Sequence, residues 1–533
     1  MNMSMTRRSF FGHTVAGGAL AGAMVLGFPT CANAQSTTPE INAWVVIQPD
    51  DTVVIRIARS EMGQGTLTGL AQLIAEELEC NWAMVTTEYP TPGQNLARNR
   101  VWKDFHTGGS RGIRESHDYV RRGGAAARMM LVQAAAEEWN VPASECQVES
   151  GVISHASSGR RTTYGKVASA AARLAPPSEV PLKDPKSWKL AGRRLARLDT
   201  ADKTTGKRIY GVDLQLPGML NAAIRHCRVP GGKVRSFDAA AISGRSGVRK
   251  VLQVDESSVA VVADTFWNAK TAVDALPIEW DYGPNGSVQQ AGIDAFVSEG
   301  LTAEKAAVGV TRGNLAEGLG RAARRVEAVY GFPFQNHATM EPMNATALWT
   351  PERCEVWAPT QSAEIALANA ASAAGLPRDK CDIHKINLGG GFGRRSMIQD
   401  WIPEVVKIAK AMPGVPVKLI WSREEDMIRG RYHPVTKCKM TGGLDEQGNV
   451  TGLHMRLSGQ SIVSMVLPSM MKGDLDPYIF QGVADNDGEA MIGYDFPNLL
   501  MDHALRNPHI PPGFWRGVNL NQNAFYKIGR AHV

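Results

Sequence analysis

Three glycine-rich turns carry the residues best placed to do chemistry. Residues 388–395 read Leu-Gly-Gly-Gly-Phe-Gly-Arg-Arg. Glycines let backbone N–H groups approach a ligand closely, and Arg394 and Arg395 follow at once, so the stretch suits an anionic ligand. It equally suits a tight turn flanked by solvated arginines. It is not a dinucleotide fingerprint: Gly389 and Gly391 fit the first two glycines, but the third falls on Arg394. Residues 61–66, Glu-Met-Gly-Gln-Gly-Thr, precede a stretch with Leu70, Leu73, Ile74 and Leu78 at helical spacing. Gly63 and Gly65 would then sit where orphan N–H groups and the helix dipole attract phosphate, or would only turn the chain. Residues 107–111, Thr-Gly-Gly-Ser-Arg, form a third such turn before an alanine-rich helix predicted at about 119–139.

Each turn needs elements to hold it. A short strand over 381–388 leads into the first, and Asp400 can cap the helix after it, with Pro403 in the first turn and Pro413 at the end. Strands at 44–47 and 52–57 precede the second, whose helix places Glu76, Glu77 and Glu79 largely towards water. Residues 176–187 read as a linker, and from about 205 to 282 short strands and a helix suggest a compact α/β domain. Connections there are too short for repeated parallel crossovers. Residues 325–330 form a strand ending in Gln335-Asn336-His337-Ala338-Thr339-Met340-Glu341. His337 and Glu341 are four apart, but Pro333 and Pro342 argue against the helix that would make them a metal pair. A hairpin is expected at 348–357, a helix at 363–374, a strand at 415–421, a solvated helix start at 423–426 and a strand at 450–457.

With 533 residues, two or more domains are expected. Hydrophobic residues make up 44% and charged residues 21%, which is ordinary for a globular protein. The net charge is +6, of which Arg7 and Arg8 supply two; the remaining +4 is too small to argue for nucleic acid. Thr6-Arg7-Arg8-Ser9-Phe10-Phe11, the apolar run 15–28 and Ala32-Asn33-Ala34 read as a twin-arginine signal peptide over 1–34, hence a periplasmic protein exported already folded. Beyond Cys31, the six cysteines (80, 146, 227, 354, 381 and 438) lack the clustering that zinc or iron–sulfur sites require, and no His-Glu-x-x-His occurs.

Taken together, residues 61–66 with Ala71-Gln72, 107–111, 210–280, 335–342, 389–395 and 514–518 resemble the molybdenum-binding large subunit of the xanthine oxidase family. The likeness is to the branch of isoquinoline 1-oxidoreductase beta-subunits and periplasmic aldehyde dehydrogenases. It implies an α+β fold with a permuted N-terminal cofactor-binding region (35–190), an α/β hammerhead domain (205–285) and a molybdopterin-binding domain (320–526). It implies molybdenum held by a molybdopterin cytosine dinucleotide, with no protein ligand to the metal. Cofactor contacts would come from Gln64, Gly65, Ser110, Arg111, Gly112, Gln335, Gly390, Gly391, Phe392, Gly393, Arg394 and Arg516. Gln335 would lie beside the metal's oxo group, and Phe392 would offer its backbone amide. Ser396 stands where purine-oxidising relatives carry a glutamate, which disfavours xanthine and leaves an N-heterocycle or an aldehyde as substrate. Hydroxylation with water as oxygen source would send electrons to a separate small 2Fe-2S subunit, with a c-type cytochrome as a possible further acceptor. The family's general-base glutamate, in Gly-x-Gly-Glu, has no match before Val533. Residues 527–533 read as a non-native tail, with native sequence expected to continue after Tyr526 and the chain alone expected to be inactive. A non-catalytic periplasmic scaffold of the same fold is the alternative.

Overall fold

A computed structural model describes residues 39–485 and 490–531. Residues 1–34, expected to be a signal peptide, and residues 532–533 lie outside the described residues. The helix Leu520–Ala531 runs on through most of the expected tail. Helices and mostly antiparallel sheets make an α+β architecture.

The N-terminal layer is a four-stranded sheet, Glu40–Asn42, Val45–Ile47, Val53–Arg56 and Val85–Glu88 in that order, packed on the helices Thr66–Leu78 and His117–Trp139. The two helices meet closely because Gly124 has no side chain: a Cβ there would lie 2.4 Å from the Ile74 carbonyl oxygen. Glu76 and Glu77 do not face water. They are 2% and 0% exposed, because the 176–187 stretch and residues 188–191 fold back over them. Glu77 pairs with Arg121 at 2.7 Å, and Glu76 pairs with Lys183 at 3.2 Å while accepting the N–H groups of Lys189, Leu190 and Ala191. The expected linker is therefore a strap whose donors neutralise two buried carboxylates.

The central layer is a seven-stranded sheet. Its order is Val248–Asp255, Ser258–Ala263, Leu220–His226, Val417–Ile420, Asn344–Trp349, Cys354–Ala358 and Cys381–Lys385. The expected compact domain at 205–285 thus shares its sheet with later residues: Leu220–His226 pairs in parallel with Val417–Ile420. Helices Ala363–Ala374 and Trp401–Lys410 cover this sheet through a large apolar core. A five-stranded sheet forms the third layer, with Ala307–Arg312 and Arg324–Phe332 at its edges. Six free cysteines are distributed through these layers, five of them buried. Among the described residues, no helix is long and apolar enough to cross a membrane.

One polar contact fastens the first part of the central sheet to its helices. His226, fully buried at a strand end, lies 2.9 Å from Glu425 Oε2 through Nδ1 and 3.0 Å from Glu404 Oε1 through Nε2. Trp421 donates its indole N–H to the other Glu404 oxygen at 2.9 Å. Residues 423–426 are accordingly not a solvated helix start, since Glu425 and Asp426 are buried. Burial alone would push the imidazole pKa down. The Glu404 and Glu425 carboxylates overcome this and hold it at about 9. Because the folded pKa exceeds the ordinary 6.5, the contribution to stability is complete below pH 6.5 and is lost as pH rises through about 9. Urea unfolding should therefore show a loss on the order of 2–3 kcal/mol between pH 6.5 and 9.5. His226→Gln should be less stable at pH 6.5 and lack most of that slope; an equal slope in the variant would refute the assignment.

Candidate functional site

Two parallel strands of the central sheet, Cys354–Ala358 and Cys381–Lys385, deliver their C-terminal ends side by side. One continues into Pro359-Thr360-Gln361, the other into the glycine turn. Gln361 then ties three segments together. Its N–H donates to the Arg395 carbonyl (2.9 Å), and its Oε1 accepts the Gly393 N–H (3.0 Å). Its Nε2 donates to the Thr107 carbonyl (2.9 Å), and its own carbonyl accepts the Thr107 N–H (2.7 Å). Thr107 Oγ1 accepts the Ser60 N–H, and Ser60 Oγ donates to the Thr360 carbonyl. The turns predicted at 61–66, 107–111 and 388–395 are thus brought to one place, although the third lies hundreds of residues from the first two. Gly391 has no room for a side chain: a Cβ would lie 2.6 Å from Gln361 Oε1 and 3.0 Å from Met62 Sδ.

The 335–341 and 513–518 segments close on the same turn. Gly393 has φ +102°, and a Cβ there would stand 2.1 Å from the Phe514 carbonyl oxygen, so the two loops are in backbone contact. That carbonyl accepts from His337 Nε2 at 2.8 Å. Burial pushes His337 down to about 3, so the ring is neutral with its proton on Nε2. The His433 N–H donates to the Gln335 carbonyl (2.9 Å), and His433 Nε2 lies 3.1 Å from the Val518 carbonyl. The blocks containing Gln335, Phe392 and Arg516 are therefore packed against one another.

Several groups there are left free. Gln335 Oε1 is buried without a hydrogen-bond partner. The amides of Gly391 and Phe392 take no partner among the described residues. Phe392 sits at φ +54°, a conformation that costs free energy in a non-glycine residue, with its ring 40% exposed beside Gly390. Arg516 is exposed, and its guanidinium makes no recorded contact among the described residues.

Other expected ligands are committed elsewhere. Arg395 is fully buried and donates to the carbonyls of Gly390, Pro359, Glu341 and Pro342 and to Glu341 Oε2. Arg394, 2% exposed, gives its terminal nitrogens to Asp400 (2.7 Å) and the Ile398 carbonyl, and lies over the rings of Trp401 and Trp421. Arg395 is a framework arginine, its desolvated guanidinium satisfied by its own chain; Arg394 is held in the same way through its terminal nitrogens, while its buried Nε has no partner among the described residues. Asp400 in turn does not cap the helix Trp401–Lys410 with its side chain.

The phosphate nest expected at Gly63 and Gly65 is filled from within. Glu61 Oε1 accepts the N–H groups of both glycines (2.7 and 3.1 Å), and Oε2 accepts that of Leu67 (3.1 Å). Arg197 and Lys203 balance the charge. Gln64 is exposed, but its amide folds onto Ser60 and Met62. Ser110 (φ +57°) is exposed and Arg111 half-buried, while a Cβ at Gly112 would stand 3.2 Å from Thr66 Oγ1. Ser396 is 5% exposed and donates its N–H to the Gly393 carbonyl.

Three residues that organise the site were not singled out for it. Glu61 could have been found as a carboxylate two residues before glycine amides. Glu341 was considered only as half of a metal pair; it accepts the Gly389 and Val212 N–H groups instead. Gln361 has no local signal at all.

Comparison with known proteins agrees with this geometry. Residues 16–213 and 299–469 each match the molybdopterin cofactor-binding domain family. The beta subunit of isoquinoline 1-oxidoreductase from Brevundimonas diminuta is 28% identical, over 92% of this chain and 68% of its own length. The membrane-bound aldehyde dehydrogenase [pyrroloquinoline-quinone] of Gluconacetobacter polyoxogenes is 27% identical, over 97% of this chain and 68% of its own length. A nicotinate dehydrogenase subunit of Pseudomonas putida is 24% identical over 93% of this chain, which spans only 42% of it. The two matched domains hold four of the five loops that meet at Gly393, and on these grounds the chain belongs to the molybdopterin-binding large subunits of the xanthine oxidase family.

Proposed function

We propose that this chain is the cofactor-bearing subunit of a molybdenum hydroxylase that oxidises an aldehyde or an electron-poor N-heterocycle with water as the oxygen source. The observation that supports it best is the packing together of the blocks that carry Gln335, Phe392 and Arg516, with Gln335 Oε1 and the Gly391 and Phe392 amides left unpaired. Buried polar atoms without partners are costly in a finished site, so they fit a group that supplies the missing contacts. The residues present suit a pterin dinucleotide, proposed here in its cytosine form. The unpaired amides of Gly391 and Phe392 and the Gln335 side chain would hold the metal-bearing end. Gln64, Ser110 and Arg111 are the residues available to the dinucleotide end. Arg394 and Arg395 stiffen the loop from behind and do not touch the ligand.

When bound, the group supplies two-electron redox capacity and the activation of water. Phe392 contributes a fixed N–H donor, pre-aimed by its strained backbone and therefore needing little reorganisation. Gln335 can accept with Oε1 and donate with Nε2 beside the reacting atoms. Arg516 places a cation where negative charge on a substrate heteroatom develops. Electrons would leave to a separate 2Fe-2S subunit, because this chain's six described cysteines stand singly or in pairs, most of them in strands; a c-type cytochrome would accept them in turn. Arg7 and Arg8 support twin-arginine export of the loaded subunit to the periplasm. The substrate pocket role of Ser396 is not retained in this reading, given its burial.

Co-expression with the neighbouring iron–sulfur gene, followed by elemental and pterin analysis, tests the reading; a stable complex free of molybdenum would end it. Gly393→Ala should lower molybdenum content at least tenfold with far-UV circular dichroism unchanged, since the added methyl separates the two loops. Parental metal content in that variant would contradict the loop assignment. Gln335→Ala should retain molybdenum within twofold and lose roughly 10- to 100-fold in kcat, the range of a lost polar contact to the reacting atoms. Unchanged turnover at full loading would remove Gln335 from the reaction.

A further inference from the structure

Behind the seam between the glycine turn and the 513–518 loop lies a separate cleft of about 290 Å³. It is lined by Pro230, Gly231, Asn285, Asp400, Arg429, Arg431, His509 and Pro511. A narrow gap lined by Gly393, Arg394, Arg431 and Phe514 lies between it and the cofactor loops. Its charge is unbalanced. Asp400 is the one carboxylate on the wall, and it is already held by Arg394 at 2.7 Å from behind as well as by Arg431 at 3.3 Å. Arg429 has a single recorded side-chain contact, a 3.3 Å hydrogen bond to Ser257 Oγ. The terminal nitrogens of Arg431 and the ring of His509 have no partner among the described residues. Two guanidinium groups thus line a recess whose one carboxylate, Asp400, pairs with Arg431 and Arg394 and leaves Arg429 without an ion pair. Pro230 and Pro511 provide apolar walls, and Asn285 faces the recess with its Nδ2 turned onto the Pro230 carbonyl.

We propose that this cleft binds a small carboxylate, held by Arg429 and Arg431 with an apolar body between the two prolines. Guanidinium forks match the two oxygens of a carboxylate in one plane, and the recess has the volume of a small molecule of benzoate size. The inference rests on the arginine geometry and holds whether or not the molybdenum reading is correct.

The test uses the purified full chain at low ionic strength, with calorimetry or ligand-detected NMR. Benzoate is the probe, inorganic phosphate the competing anion and benzamide the neutral control. Benzoate should bind, benzamide should not, and Arg429→Gln and Arg431→Gln should each weaken benzoate at least tenfold. Arg429→Lys should lose part of the affinity, since it keeps the charge without the fork. Thermal midpoints near that of the parent confirm that the variants are folded, and Arg429→Gln, which breaks no ion pair, keeps the test valid should Arg431→Gln unfold. Binding of phosphate but not benzoate, equal binding of benzamide, or benzoate affinity indifferent to both arginines would each overturn the proposal.

Discussion

The site depends first on the buried pair between Arg395 and Glu341. Glu341 Oε1 accepts the Val212 N–H and Asn344 Nδ2, while Oε2 accepts the Gly389 N–H and lies 3.2 Å from Arg395. Its N–H donates to the Gly389 carbonyl. A desolvated pair of this kind gives little net stability against an apolar substitute, but it admits few alternative arrangements once every donor and acceptor is matched. Here it fixes the turn after Cys381–Lys385 against the 335–341 segment and the start of the strand Asn344–Trp349.

Around the clamp, neutral amides do what charges were expected to do. Gln361 makes its contacts through donors and acceptors of one side chain and one peptide, so it joins the turns at 107 and 393 without bringing a charge into the cleft. Glu61 satisfies the helix N-terminus internally, which takes the attraction of that dipole away from the ligand.

Much of the fold was legible because periodicity and punctuation are local. The helix Ala363–Ala374 ends at Gly375 in the left-handed region, as its glycine suggested, and the strands at 45–47, 53–56 and 450–459 lie within two residues of expectation. The glycine turns, and the blocks around Gln335 and Arg516, were legible as short motifs. What could not be read was which charges would be buried. Glu76, Glu77, Arg394 and Arg395 look like surface residues in any window of sequence. Only the strap at 183–191 and the carbonyls at 341, 342, 359 and 390 show why they are inside. The sharing of one sheet between 220–263 and 344–420 was hidden for the same reason, because strand pairing across some two hundred residues leaves no local trace.

That shared sheet has a consequence for synthesis. The strand Leu220–His226 leaves the ribosome with one neighbour, Ser258–Ala263, available soon after, while its other edge must wait for Val417–Ile420. Until then an unpaired edge next to apolar residues is open to wrong partners, and pairings of such long sequence separation form slowly. A nascent chain of this design needs shelter for its first half until most of the second half has emerged.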